Sequence, residues 1–116
     1  MKEKKAEKRP WGRYTVLKSA ENYKVKSIIV KPHQKLSLQL HERRAEHWIC
    51  VRGKMLVTVG DKKIHLTPGE HVFIPKKAKH RMENTGDALA EIIEVQTGDY
   101  LGEDDIKRLE DIYGRA

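Results

Sequence analysis

The run Lys35-Leu36-Ser37-Leu38-Gln39-Leu40-His41, continued after a short bend by Glu46-His47-Trp48-Ile49-Cys50-Val51, decides how this chain is read. In the first segment apolar and polar residues alternate, so an extended backbone sets Ser37, Gln39 and His41 on one face and Leu36, Leu38 and Leu40 on the other. In the second, Glu46, Trp48 and Cys50 alternate with His47, Ile49 and Val51, and the bend Glu42-Arg43-Arg44-Ala45 lets Glu46 face His41. His80 opens a further short run. Gln39, His41, Glu46 and His80 together offer an amide, two imidazoles and a carboxylate, a nitrogen and oxygen set suited to one divalent ion. Zinc, manganese, cobalt, iron and nickel all fit, and the set does not choose among them. The competing reading, in which the four groups satisfy one another inside a barrel, leaves polar groups unpaired at a cost.

Outward from this stretch the text is β-type throughout. Runs at Tyr23 to Val30, Lys35 to His41, Glu46 to Val51, Met55 to Val59, Lys63 to Leu66, His71 to Ile74, His80 to Glu83 and Ala90 to Thr97 are separated by Gly53-Lys54, Gly60-Asp61, Pro68-Gly69 and Thr85-Gly86-Asp87. Short strands without helical interruption predict an all-β sandwich or barrel. Near the end the period changes. Ile106, Leu109, Ile112 and Tyr113 form a helical stripe after Glu103-Asp104-Asp105, so a short C-terminal helix stopped by Gly114 is expected.

The 116 residues fit one domain, expected over 9–116 behind a disordered basic tail at 1–8. The formal charge is +7, of which Met1 to Arg9 carry +3. No strongly basic helix and no arginine-interleaved aromatics accompany it, which argues against nucleic acid and for an anionic small molecule. A single cysteine, Cys50, excludes an internal disulfide and reads as inert packing. No opening apolar run resembles a leader or membrane span, so a cytoplasmic protein without membrane contact is expected. If Ser37, Gln39 and His41 face inward, Leu36, Leu38 and Leu40 face outward and need a cover. The terminal helix, the segment around Trp11 to Leu17 and a second copy are the candidates, and a homodimer is the favoured one.

His33 to Gly53 resembles the first motif of the cupin superfamily, with His33 standing for its opening glycine, Gln39 for its first histidine, and His41, Glu46 and Gly53 in place. Gly69 to Asn84 resembles the second motif through Gly69, Pro75, His80 and Asn84, with Lys77 in place of its middle glycine. Arg9-Pro10-Trp11-Gly12, Tyr23-Lys24-Val25-Lys26, Arg44-Ala45-Glu46-His47-Trp48, Ile93-Glu94-Val95-Gln96 and Tyr100-Leu101-Gly102-Glu103-Asp104-Asp105-Ile106 look like type II mannose-6-phosphate isomerase, the cupin usually fused behind a mannose-1-phosphate guanylyltransferase. The resemblance implies a double-stranded β-helix, or jelly-roll barrel. It also implies the isomerase half standing alone, acting on a sugar phosphate with one metal ion.

Aldose–ketose isomerisation needs a base, a polariser and a phosphate anchor. Glu94 shares a face with Ile92 and Gln96 on a strand that borders the pocket in the resembling family, which makes it the candidate base, against the plainer reading of a surface or ion-paired carboxylate. Arg44, in the bend, is either a solvated loop residue or a planar fork for an oxyanion or phosphate, and the resemblance favours the second. Lys24 and Lys26 share an otherwise apolar face with Ile28 and Val30 and are the phosphate candidates, Lys26 first. Arg9 and Arg81 rank below them, and His47 is expected on the outer face. Two other readings compete: an iron-dependent dioxygenase, and a non-catalytic sugar-phosphate-binding module or partner of a separate guanylyltransferase.

Overall fold

The structure is a computed structural model that describes residues 4–110 and 113. Among the described residues eleven strands occur: β1 (Ala6–Arg9), β2 (Gly12–Ser19), β3 (Tyr23–Val30), β4 (Leu38–Leu40), β5 (Arg44–Arg52), β6 (Met55–Val59), β7 (Lys62–Leu66), β8 (His71–Ile74), β9 (His80–Glu83), β10 (Ala90–Gly98) and β11 (Lys107–Glu110). They form two antiparallel sheets, a six-stranded one in the order β1-β2-β3-β10-β5-β8 and a five-stranded one in the order β11-β4-β9-β6-β7. The all-β jelly-roll expectation holds, and the eight runs read from sequence are β3 to β10.

Three strands were not expected, and two of them are corrections. Ala6–Arg9 pairs with β2 in the register Ala6↔Thr15 to Arg9↔Gly12, so strand begins inside the segment expected to be a disordered tail. Its charges are those of an edge strand, which needs no apolar face and is protected by lysines from pairing with other chains. The turn is held by Trp11, 5% exposed, and by Gly12, whose missing Cβ would sit 2.0 Å from the Ile29 carbonyl oxygen. Toward the C-terminus no helix forms among the described residues. Lys107–Glu110 is instead β11, paired with β4 through Lys107↔Leu40, Arg108↔Gln39 and Glu110↔Leu38. Strand β4 meets β9 on its other side and would otherwise leave a row of backbone groups unpaired, whereas a helix this short carries an unfavourable nucleation cost with little packing to offset it. Ile112 and Gly114 lie outside the described residues.

The leucine row is also different from expectation. Leu36, Leu38 and Leu40 are all half-buried, and Leu36 packs against the core, so the row is covered within the chain. It therefore supplies no reason for a second copy.

The inward faces of four strands change character at the same level. Along β3 they run Val30, Ile28, then Lys26; along β10, Ala90, Ile92, then Glu94 and Gln96; along β5, Cys50, Trp48, then Glu46 and Arg44; along β9, Met82, then His80, all of them buried. The register aligns these changes, pairing Ile92 with Ile28 and Cys50, Glu94 with Lys26 and Trp48, and Gln96 with Lys24 and Glu46. One end of the barrel is thus a hydrophobic core with Met55, Val57 and Ile74, and the other is a polar cavity.

His33 and Lys77 have φ of 62° and 67°, and they are the only non-glycine residues with positive φ among those described. Both stand where the cupin motifs have glycine. The left-handed backbone survives the loss of glycine there, at a cost of about 1 kcal/mol each.

Candidate functional site

His41, directly after β4, and Glu46, on β5, meet across the bend, with His41 Nε2 3.3 Å from Glu46 Oε2. His80, the first residue of β9, brings its ring centroid to 4.9 Å from that of His41. One donor atom from each of the three lies within 4.8 Å of the others, and all three residues are buried. The outer nitrogen of each imidazole faces a carbonyl: His41 Nδ1 is 2.6 Å from the Asp105 oxygen and His80 Nδ1 is 3.0 Å from the Ala78 oxygen. A carbonyl only accepts, so each Nδ1 carries the proton and each Nε2 is left bare, the tautomer that a metal ligand requires. Burial, helped by Arg44 and His80, takes the His41 imidazole down to about 4 against the pull of Glu46, and burial likewise lowers His80. Both rings are therefore neutral at neutral pH. Gln39 pairs directly with His80 across β4 and β9 and lines the cavity, its amide nitrogen donating to Ser37 Oγ at 3.2 Å. The four residues singled out in the sequence thus border one cavity, and their donor chemistry fits a divalent cation of borderline hardness.

Arg44 stands among these groups rather than in solvent. Its Nε donates to Glu46 Oε2 at 2.8 Å and its Nη2 to His41 Nε2 at 3.1 Å, while Trp48 Nε1 donates to Glu46 Oε1 at 2.8 Å. Burial alone would raise the Glu46 carboxyl, but His80, Arg44 and His41 outweigh it and hold it down to about 2. Arg44 Nη1 is buried and has no hydrogen-bond partner among the described residues. Such a group costs about 1–3 kcal/mol if it stays unpaired, which marks it for an oxygen from outside.

Glu94 is 4% exposed and accepts a 2.6 Å hydrogen bond from Gln96 Nε2. Burial pushes its carboxyl up to about 8, and the negative charge of Glu46 adds to this while Lys26 opposes it. Lys26 is buried to 5% and lines the same cavity, whereas Lys24 lies behind it and donates to the Leu101 carbonyl at 2.9 Å. His47 is exposed and stacks on Phe73, as its place in the alternation demands. Cys50 is fully buried, burial pushes its thiol up, and Sγ faces the carbonyls of Arg52 and Gly53, the inert role read from sequence.

Several residues at the site were missed or ranked too low. Arg9, Arg81, Tyr14, Glu103 and Arg108 all line the cavity. Arg81 lies beside His80 in sequence and was expected to turn away, but its long side chain bends back to donate to the Leu36 carbonyl at 2.8 Å. Asp105 orients His41 through its carbonyl, and its carboxylate accepts from the backbone N–H of Glu42 and of Arg43, each at 3.0 Å. Apart from Arg81, which is on β9, these residues sit on β1, β2, β11 and the segment that leads into β11, the parts of the chain whose strands the sequence pattern did not show. The family resemblance touches Arg9 and Glu103 through Arg9-Pro10-Trp11-Gly12 and Tyr100-Leu101-Gly102-Glu103-Asp104-Asp105-Ile106, whereas no pattern in the sequence points to Tyr14 or Arg108.

Comparison with known proteins places this geometry. A family described as "Mannose-6-phosphate isomerase C-terminal" matches residues 1–111. The chain is 53% identical over 108 residues to the alginate biosynthesis protein AlgA of Pseudomonas aeruginosa, covering 93% of this chain and 22% of that protein. It is 49% identical over 105 residues to mannose-1-phosphate guanylyltransferase 2 of Escherichia coli O157:H7, again 22% of the relative's length and 90% of this chain. The chain thus spans under a quarter of these relatives. Among solved structures, KdgF from Halomonas sp. superposes with a TM-score of 0.78 at 15% identity, over 86% of this chain and 89% of that one, which supports the fold alone.

Proposed function

Because the chain belongs to the family of mannose-6-phosphate isomerase C-terminal domains, we propose that it interconverts mannose 6-phosphate and fructose 6-phosphate with the help of one divalent metal ion. The observation that carries this reading is the convergence of His41, Glu46 and His80 in one cavity, with Glu94 buried on the neighbouring strand. Gln39, His41, Glu46 and His80 would hold the ion, which when bound supplies Lewis-acid polarisation of the sugar's carbonyl and hydroxyl oxygens, worth several kcal/mol or so. Arg44 now supplies the positive charge beside Glu46, and its unpaired Nη1 is suited to an oxygen of the open-chain sugar. Ionised Glu94 takes the proton from C2 of the aldose, the C–H electrons form a C1–C2 double bond, a proton passes from the C2 hydroxyl to the C1 oxygen, and the same carboxyl returns its proton to C1, which leaves the carbonyl at C2 of the ketose. A carboxyl whose pKa stands near 8 is a strong enough base for this at neutral pH. Lys26 anchors the phosphate.

The test is a coupled assay of the purified, metal-loaded chain with mannose 6-phosphate. Turnover abolished by a chelator and by His80→Ala is the expected result. Binding without turnover would return the chain to the class of sugar-phosphate-binding modules. Turnover only with an added guanylyltransferase polypeptide would make it a partner. Dependence on iron and air would make it an oxygenase. The proposal includes a homodimer and a cytoplasmic setting; among the described residues no helix is long and apolar enough to cross a membrane.

A further inference from the structure

Two cations flank one phenol ring at the mouth of the cavity, and a third shares a carboxylate with one of them. Lys26 Nζ lies 4.6 Å from the centre of the Tyr14 ring and the Arg9 guanidinium 5.0 Å from it, and Arg9 Nη2 also donates to the Tyr14 hydroxyl at 3.3 Å. Lys24 Nζ comes to 4.0 Å from the carboxylate of Glu103, and Lys26 Nζ donates a hydrogen bond to the same carboxylate. Burial disfavours ionisation of Glu103, but the Lys26 contact outweighs it and keeps the carboxyl below its ordinary range. Glu103 is thus the carboxylate that meets both lysines from the solvent side, while Glu94 faces Lys26 from the paired strand.

We infer that Lys26 and Arg9, which flank Tyr14, together with Lys24, which shares Glu103 with Lys26, form the seat for the phosphoryl group of the substrate, and that the Glu103 carboxylate is a displaceable occupant of that seat. The inference rests on the sugar-phosphate reading of the cavity and is tested on binding alone. Lys26 is shielded, with only 6% of its side chain exposed, and an ammonium in such a place cannot be left without an anion. Glu103 is different: its side chain is 51% exposed, so it swings into water without moving the backbone. That backbone is fixed on both sides, by buried Leu101, whose carbonyl accepts from Lys24, and by Asp105, whose carboxylate accepts from Glu42 and Arg43. A phosphate monoester brings up to two charges and three acceptor oxygens where the carboxylate brings one charge and two, so the exchange favours the phosphate. A neutral sugar offers nothing in return and leaves Glu103 in place. The seat thus selects for phosphorylated sugars by exchanging anion for anion, and Lys26 is never stranded.

Calorimetric titration of the intact chain with orthophosphate tests this. Glu103→Gln should bind orthophosphate about three- to tenfold more tightly than the native chain, the effect of removing one partly exposed competing ion pair, and Lys26→Met should weaken binding at least about tenfold. In the native chain the carboxyl carbon resonance of Glu103 should shift as orthophosphate saturates, a measurement that needs no variant to fold. Unchanged or weaker phosphate binding by Glu103→Gln, or a Glu103 resonance that ignores phosphate, overturns the inference. Turnover lost in Glu103→Gln with phosphate affinity unchanged overturns it too, since Glu103 would then belong to the chemistry. Tighter phosphate binding in a chain that never isomerises mannose 6-phosphate upholds the seat and removes the isomerase.

Discussion

Glu94 shows how one side chain links stability to chemistry. Its folded carboxyl titrates near 8, well above the ordinary 4.5, so the folded protein keeps a proton that the unfolded chain gives up between those values. The stability that comes from the protonated carboxyl is complete below about pH 4.5 and is lost as pH rises through 8. Glu94→Gln keeps the shape and removes the titration. Its advantage in melting temperature over the native chain should widen from pH 5 to pH 9, while turnover falls on the order of 10²- to 10⁴-fold, the usual worth of a positioned base. A stability difference that does not vary with pH would show that Glu94 is not a buried acid. At this scale the sequence was legible where chemistry and period coincide: two histidines, a carboxylate and an amide at strand spacing. Arg9, Tyr14 and Glu103 carry ordinary side chains on segments with no alternation, and only their meeting in space makes them a site.

Among the elements, the segment between β10 and β11 does more than connect. Leu101 is buried beneath it, Asp105 holds the bend that carries Arg43 and Arg44, and its carbonyl sets the tautomer of His41. Asp105→Ala leaves two backbone N–H groups without their acceptor, a loss of about 1 kcal/mol after allowance for solvent. The melting temperature should drop by a few degrees, and affinity for added divalent metal, followed by calorimetry, should fall at least about tenfold. Loss of stability with metal affinity intact would make Asp105 a loop clamp without influence on His41. The eight central strands could be read because four of their connections contain glycine and most of their faces alternate. β11 could not. Its apolar residues fit a helical stripe as well as a strand, and the choice was made by the open side of β4, a partner far away in sequence.

For the molecule as a whole, what remains exposed is the outer face of the six-stranded sheet, where Ile49, Val51 and Phe73 are 38%, 45% and 48% exposed on the adjacent strands β5 and β8. This face, rather than the leucine row, is where a second copy would dock, since a two-fold pairing closes on itself and buries the same residues from both sides. Light scattering should give about twice the 13.5 kDa chain mass, and Phe73→Glu should return the monomer without loss of fold. A native chain that runs as a monomer at high concentration removes the dimer.

The shared register of β3, β10 and β5 has a consequence for how this protein can fail. A slip of one residue in β10 would turn Glu94 and Gln96 out to water and drive Ile93 and Val95 inward, emptying the cavity of its acid and misaligning the greasy floor in the same stroke. Mispaired chains therefore lose the buried acid and the apolar core together, so an intact cavity doubles as a mark of correct strand assembly.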